Sequence, residues 1–369
     1  MRLLIVSAYG PAVNGGVERA TRHLAEGLAG GGASVHWACA GGAAGVSGVE
    51  SVPLPSNDWL YRRVGVPMPI PSLRALRRLM REARAAEVVL VADAYYAATV
   101  FAAVAAKLSG RRLAVVQHVG RPSARGSVSA ALFAILERLI VRPVLKRADA
   151  VVFVSRSVAA HFSGLLSSAP VVIGHGVDDA VFFPANREGG SERRQNLYVG
   201  RFTATKGLPT LRRLASRRPQ DDFLLIGDGP IDPAAWNLPN VRVEAATSPA
   251  LVAEAMRRAD RFVLPSASES FSLVVREALA CGLPVVCGKT IIEADPDIAS
   301  HVTAVPLRTG EEQANAARLD DALRAPVPCR AAAADYVRRR CAWGRVVAAY
   351  RDVLAAPNEP ASEARGACA

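Results

Sequence analysis

Two glutamates, Glu269 and Glu277, stand eight residues apart in the run FVLPSASESFSLVVREALACGLPVV, residues 262–286. The neighbouring residue types place them. Phe262–Leu264 predicts a buried strand, Pro265–Ser268 a loop of small residues, and the apolar pattern from Ser272 to Cys281 a helix that Gly282 stops before Pro284 opens the next strand. A helix entered this way leaves backbone N–H groups from Ser270, Phe271, Ser272, Leu273 and Val274 without intrahelical partners, at the positive end of its dipole. That is an anion site of a size for a diphosphate. A carboxylate beside a phosphate repels it, so the two acids suit hydroxyls instead: Glu277 the vicinal hydroxyls of a ribose, Glu269 those of a transferred sugar. His118 closes the apolar stretch Leu113–His118, and its imidazole could orient a substrate or handle a proton, the bland alternative being a satisfied core histidine. Asp93, just after Val88–Ala92, falls at the corresponding edge.

The elements that must hold these residues follow from the rest of the chain. Strand patterns over Leu3–Ser7, Ser34–Cys39, Val88–Ala92, Leu113–His118, Ala150–Ser155 and Val171–Gly174 alternate with helical ones. Among the latter, Val17, Ala20, Leu24 and Leu28 recur at helical spacing before Gly30–Gly32. Strand–helix–strand alternation predicts a parallel, doubly wound α/β sheet. The polar stretch Pro184–Asn196 interrupts the rhythm, which restarts with Leu197–Gly200, Phe223–Ile226, Val241–Val243, Phe262–Leu264 and Pro284–Cys287. Two Rossmann-like domains result, 1–183 and 184–340, with a ligand cleft expected outside the carboxyl ends of their strands. Ala331–Leu354 reads as helical, with Trp343, Val346, Val347, Tyr350 and Leu354 on one face. Residues 341–356 are expected to pack back across the domains and 357–369 to form a flexible tail.

Taken together, the region from Glu269 to Glu277 resembles the E-x7-E segment of the family-4 retaining glycosyltransferases of the GT-B fold, and the resemblance extends from Met1 to about Leu354. YVGRFTATKG, residues 198–207, is similar to the family's first C-domain strand and loop, in which an Arg and a Lys grip the donor phosphates, here Arg201 and Lys206. Two cations on a glycine-flanked loop would also neutralise a leaving diphosphate on elementary grounds. Gly15 and Gly16 resemble the N-domain glycine turn that admits a substrate close to backbone. Gly227, in IGDGP, matches the turn bordering the base pocket, and His118 falls where a family histidine lies near the reacting sugar. The segment GHGVD, residues 174–178, has His175 where Asn is common; Ser272 replaces a frequent Gly; and residues 287–297 keep Glu293 but lack a Gly-Gly. The resemblance implies transfer of a hexose-type sugar from a UDP- or GDP-sugar to an acceptor hydroxyl with retention, in lipopolysaccharide, capsule or other cell-surface glycan synthesis. A nucleotide-sugar 2-epimerase of the same fold and an inactive binding protein are the alternatives.

Composition sets the wider bounds. With 369 residues, 51% hydrophobic and 21% charged, the chain is globular. Its longest uncharged apolar run, Ala94–Ala106, is short of the roughly 20 residues a spanning helix needs, and the start reads as a buried strand rather than a leader. Six cysteines without CxxC spacing suggest a reduced cytoplasmic setting and no zinc site. Asp295-Pro296-Asp297 spells a DxD, but after a helix and strand it reads as a loop, and no essential metal or other cofactor is expected. The net charge of +12 points to anionic partners. Residues 57–84 carry seven arginines (62, 63, 74, 77, 78, 81, 84) against Asp58 and Glu82, interleaved with Trp59, Leu60, Tyr61 and Ile70. This pattern suits an anionic membrane surface at the inner face, with a glycan or lipid-linked acceptor, as well as a solvated helix face; no nucleic-acid module is present.

Overall fold

The computed structural model describes residues 1–13, 15–57, 59, 68–120, 127–166, 169–185, 193–245 and 248–356. Arg62, Arg63, Leu60, Tyr61 and Asp58 of the basic segment, much of the stretch Pro184–Asn196 and the expected tail 357–369 lie outside them. The strands in chain order are β1 (Arg2–Tyr9), β2 (Ser34–Ala40), β3 (Val49–Pro53), β4 (Ser56–Asn57), β5 (Ile70–Pro71), β6 (Val88–Ala92), β7 (Arg112–Gln117), β8 (Ala150–Phe153), β9 (Val171–Val172), β10 (Gln195–Val199), β11 (Asp222–Ile226), β12 (Val241–Glu244), β13 (Arg261–Leu264), β14 (Val285–Gly288) and β15 (Val302–Val305).

They form two parallel sheets with helices in the crossovers. The first runs β3-β2-β1-β6-β7-β8-β9 and the second β12-β11-β10-β13-β14-β15, while β4 and β5 make a small antiparallel pair. The α/β expectation therefore stands, with two Rossmann-like sheets. Strands β1 and β6, central in the first sheet, are continuous buried apolar runs, as parallel strands covered on both faces must be. In the second sheet β13 and β14 show the same signature.

The chain divides into two compact units, Met1–His175 with the stretch from Trp343 onward, and Gly176–Ala342. The division falls at Gly176 rather than at the Pro184 break because Val177 and Phe182 are already buried in the core of the second unit. The long helix expected over Ala331–Leu354 is two helices, Arg330–Arg340 and Trp343–Ala355. Between them the Cys341 carbonyl accepts from the Val177 N–H at 2.6 Å and Ala342 bridges to Val177, so the helical ladder is interrupted by a pairing distant in sequence. The second helix does bury Val346, Val347, Tyr350 and Leu354 on one face, in the unit that contains the helix Gly16–Gly30, and Trp343 stacks on His23 with ring centroids 5.0 Å apart. The five described cysteines are free; burial pushes the Cys39 and Cys281 thiols up to about 12.

Candidate functional site

In the second unit the candidate residues converge at the carboxyl ends of β10, β11, β13 and β14. After β10 the chain turns through Gly200 and Arg201 into a short 3-10 turn, Ala204–Lys206, and Gly207 then opens the helix Leu208–Arg217. Gly207 has φ +81°, and a Cβ there would meet the Pro265 carbonyl oxygen at 2.1 Å. Only glycine lets the Lys206 turn lie against the loop that follows β13. Ser266 fastens the same contact, its hydroxyl donating to the carbonyls of Thr205 (3.3 Å) and Ser268 (3.1 Å).

This places the Lys206 Nζ against both carboxylate oxygens of Glu269, at 2.7 and 2.9 Å. The Glu269 side chain is 5% exposed and that of Lys206 29%. Two residues that sequence reading gave separate tasks, phosphate and sugar, are thus an ion pair. Glu269 also lies close enough to Tyr198 and Cys287 to add to the upward shifts that burial imposes on both groups, Cys287 reaching about 12. Arg201 is exposed; its carbonyl accepts from the Tyr198 hydroxyl at 2.9 Å, which fixes the backbone while the guanidinium faces water.

Gly227 plays the matching part after β11. At φ +154° its missing Cβ would lie 2.0 Å from the Gly200 carbonyl oxygen, so the turns after β10 and β11 touch backbone to backbone. The Phe202 N–H donates to the Asp228 carbonyl at 2.5 Å and the Ile231 N–H to that of Phe202 at 3.1 Å.

The helix expected near Ser272 spans Leu273–Ala280, with Ser272 as an extended N-cap whose side chain makes no capping bond. Its first-turn N–H groups are therefore left to other partners. Ser270 and Phe271 are half-buried, as are Leu273 and Val274, while Glu277 is 3% exposed. Sequence reading passed over Arg276, 1% exposed, which bonds the Ser272 carbonyl and the Asp295 carboxylate. The signal was an arginine in a helix whose other residues, Glu277 apart, are apolar. Asp295 also accepts from the Tyr336 hydroxyl at 3.1 Å; it is extended between the helix Thr290–Ala294 and the 3-10 turn Pro296–His301, which takes in the other two residues of the DxD where a loop was expected.

In the first unit Gly15 caps the helix Gly16–Gly30, and a side chain at Gly15 would collide with the Glu18 carboxylate, which lies over the helix start. His118 follows β7 and is 6% exposed. Asp93, held at φ +65°, accepts from the His118 and Val119 N–H groups through Oδ1 at 2.8 and 3.2 Å, and its Oδ2 lies 3.5 Å from His118 Nδ1. The His118 ring stacks on His175 at 5.1 Å. Burial holds the His118 imidazole below its ordinary range against the pull of Asp93, so it is neutral at pH 7. Beside it lies a gap of about 10 Å³ lined by Thr21, His175, Trp343 and Tyr350, room for one water.

A second group at this sheet edge was not picked out in the sequence. Glu137 accepts from Arg142 Nε at 2.9 Å and pairs with His161 Nε2 at 2.8 Å, and the Tyr95 hydroxyl donates to the Gly120 carbonyl at 3.0 Å beside it. Glu137 opens a π-helical turn, Glu137–Val141, a distortion that sequence periodicity does not reveal.

Comparison with known proteins gives this geometry a family. Residues 14–181 match the model of Glycosyltransferase Family 4, and residues 193–324 that of Glycosyl transferases group 1. The chain belongs to glycosyltransferase family 4. Curated relatives of this family-4 chain include a D-inositol 3-phosphate glycosyltransferase of Pseudarthrobacter chlorophenolicus, 36% identical over 30% of this chain and 32% of the relative. A phosphatidyl-myo-inositol mannosyltransferase of Propionibacterium freudenreichii is 30% identical over 48% of this chain and 46% of the relative. The chain spans between a quarter and a half of the length of the curated relatives it matches. Among solved structures, sucrose-phosphate synthase from Thermosynechococcus elongatus superposes with a TM-score of 0.74 at 18% identity, covering 95% of this chain and 98% of that one. Anabaena HepE in complex with UDP-glucose gives 0.69 at 17%, covering 96% and 99%. At these identities the structures establish the fold, which is GT-B.

Proposed function

We propose that this family-4 protein transfers a hexose-type sugar from a UDP- or GDP-sugar to an acceptor hydroxyl with the anomeric configuration kept. One observation carries the reading: Arg201, Lys206, Glu269, Glu277 and an uncapped helix start meet at the carboxyl edge of one parallel sheet, where such sheets take their ligands. The diphosphate lies at Ser270–Val274 with Lys206 and Arg201, Glu277 accepts from the ribose hydroxyls, Gly227 borders the base, and Glu269 holds the sugar. In the transfer step the bond from the anomeric carbon to the diphosphate oxygen breaks. The acceptor oxygen bonds to that carbon from the same face, and the acceptor proton passes to the leaving diphosphate. Lys206, Arg201 and the helix dipole stabilise the charge that develops there. The reading needs no resident metal or other cofactor.

Acceptor handling we assign to the first unit, where the neutral His118, held by Asp93, orients substrate or relays its proton, and Gly15–Gly16 allow close approach to backbone. The helix Leu73–Ala85 supports an acceptor presented at a membrane surface. It buries Ala75, Leu79 and Ala83, while Arg74, Arg77, Arg81 and Arg84 face water near an exposed Trp59, Ile70 and Leu73. The basic, apolar-edged helix suits peripheral association at the cytoplasmic face, in the making of a cell-surface glycan such as lipopolysaccharide or capsule. Among the described residues no helix is long and apolar enough to cross a membrane.

A thermal-shift screen of UDP, GDP and their sugars tests the donor assignment. One base family should raise the melting temperature, by mass action on the folded state, and the rise should vanish in Lys206→Ala. No shift with any nucleotide, or an equal shift in the variant, contradicts it.

A further inference from the structure

Arg276 carries a positive charge at 1% exposure, directly before Glu277. Its guanidinium is shared among several neighbours, the Cys341 thiol among them. Nη1 donates to the Ser272 carbonyl at 3.1 Å, Nη2 to Asp295 Oδ2 at 2.7 Å, and the central carbon lies 3.6 Å from the Phe271 ring centroid. Nε is buried without a hydrogen-bond partner among the described residues. Asp295 is held in turn by the Tyr336 hydroxyl, and the Tyr336 ring packs on His301 at 4.7 Å. One buried cation therefore joins the two residues that open the helix Leu273–Ala280, the segment after β14 and the helix Arg330–Arg340.

An ion pair with one partner fully buried and the other 22% exposed is a poor device for stability alone, since apolar side chains of equal volume fill such a space as well or better. What this one does that an apolar side chain could not is fix two groups at the helix entrance. The carbonyl of Ser272 is drawn back toward the helix by Nη1, and Phe271 is laid flat on the guanidinium. Both constraints act on the first turn of this helix, whose N-cap side chain makes no capping bond.

We infer that Arg276, braced by Asp295 and Tyr336, is a positioning residue for the donor diphosphate: it presets residues 271–275 so that their N–H groups converge on the phosphate oxygens before the ligand arrives. The inference rests on the assignment of that helix start as the diphosphate site. Preorganisation of this kind shows as affinity for the diphosphate specifically, because the ligand no longer has to order the turn.

Calorimetric binding of UDP and GDP, beside that of uridine and guanosine, to the wild type, Arg276→Met, Arg276→Lys and Asp295→Asn tests it. Arg276→Met should weaken the preferred nucleoside diphosphate about tenfold, the nucleoside affinity staying within twofold. Arg276→Lys, which restores the charge without the planar fork, should recover only part of the loss. Asp295→Asn, which keeps the cation but loosens its brace, should lose about threefold in the same diphosphate-specific way and serves if Arg276→Met does not fold. Equal losses for diphosphate and nucleoside, or no loss in either variant, overturn the inference. Diphosphate binding that Lys206→Ala abolishes but Arg276→Met leaves intact defeats the inference and keeps the underlying assignment. A wild type that binds neither diphosphate defeats the assignment itself.

Discussion

Glu269→Gln should tighten the binding of nucleoside diphosphate while it depresses sugar transfer. Both carboxylate oxygens of Glu269 hold Lys206 Nζ, at 2.7 and 2.9 Å. Opposite charges at that distance attract by roughly 6 kcal/mol at an effective dielectric of 20. Desolvation of a carboxylate only 5% exposed, and water around an ammonium 29% exposed, reduce the net worth of the pair to about 1–2 kcal/mol. A diphosphate that recruits Lys206 must draw it from Glu269 or share it. An amide of the same shape accepts one hydrogen bond without charge, which frees the ammonium for phosphate and removes a repelling anion. The affinity for UDP or GDP alone should therefore rise about three- to tenfold, or ~0.7–1.4 kcal/mol. Transfer from the intact nucleotide sugar should fall about 100-fold or more because the sugar loses its charged acceptor. Isothermal titration with the diphosphate and initial rates with the intact donor read the two effects separately. If Glu269→Gln weakens diphosphate binding as much as Lys206→Ala does, the reasoning about competition for Lys206 is wrong.

Three further outcomes follow from single residues. Gly207→Ala forces a side chain into φ +81° and against Pro265, so it should cost about 2–4 kcal/mol by chemical denaturation and abolish the nucleotide-induced thermal shift. Burial raises the Glu137 carboxyl, but hydrogen bonds from His161 and Arg142 outweigh it and hold the group below its ordinary 4.5. The native state thus binds this proton less readily than the unfolded chain. The stability that Glu137 contributes is complete above pH 4.5 and is lost as the pH falls through its lower native value, so the wild type and Glu137→Gln should differ in denaturation midpoint at pH 6 and converge toward pH 3. Replacing Arg77 and Arg78 together by Gln should release the protein from vesicles of anionic phospholipid in flotation and leave the UDP or GDP affinity unchanged; no binding by the wild type would sink the membrane assignment.

Much of this was legible in residue order because the signals are local. The apolar runs of β1, β6, β13 and β14, and the Gly282–Pro284 stop after the helix Leu273–Ala280, announce a parallel α/β architecture from types alone. The edge strands β3 and β15 escaped because neither is a continuous buried apolar run: β3 alternates Glu50 and Ser51 with Val49 and Val52, and β15 is half-buried for most of its length. The split between the helices Arg330–Arg340 and Trp343–Ala355 has no Gly or Pro to mark it, since its cause is Val177, far away in sequence. The candidate residues stood out by type and motif, yet their mutual relations did not. Lys206 meets Glu269 only because β10 lies beside β13. Arg276 meets Asp295 only because the segment after β14 returns over the helix start. His118 illustrates the converse: its place at the end of β7 was readable, while its burial against Asp93 and His175 was not.

Retaining transfer from a nucleoside diphosphate sugar can be read by proton NMR of the product formed from an α-linked UDP- or GDP-hexose, chosen by the thermal-shift screen, on an acceptor panel. The product should carry a new glycosidic bond whose anomeric coupling is that of the α-donor, with release of the diphosphate in equal amount and loss of both in Lys206→Ala. A β-linked product, or conversion of the donor sugar with no acceptor consumed, would contradict it.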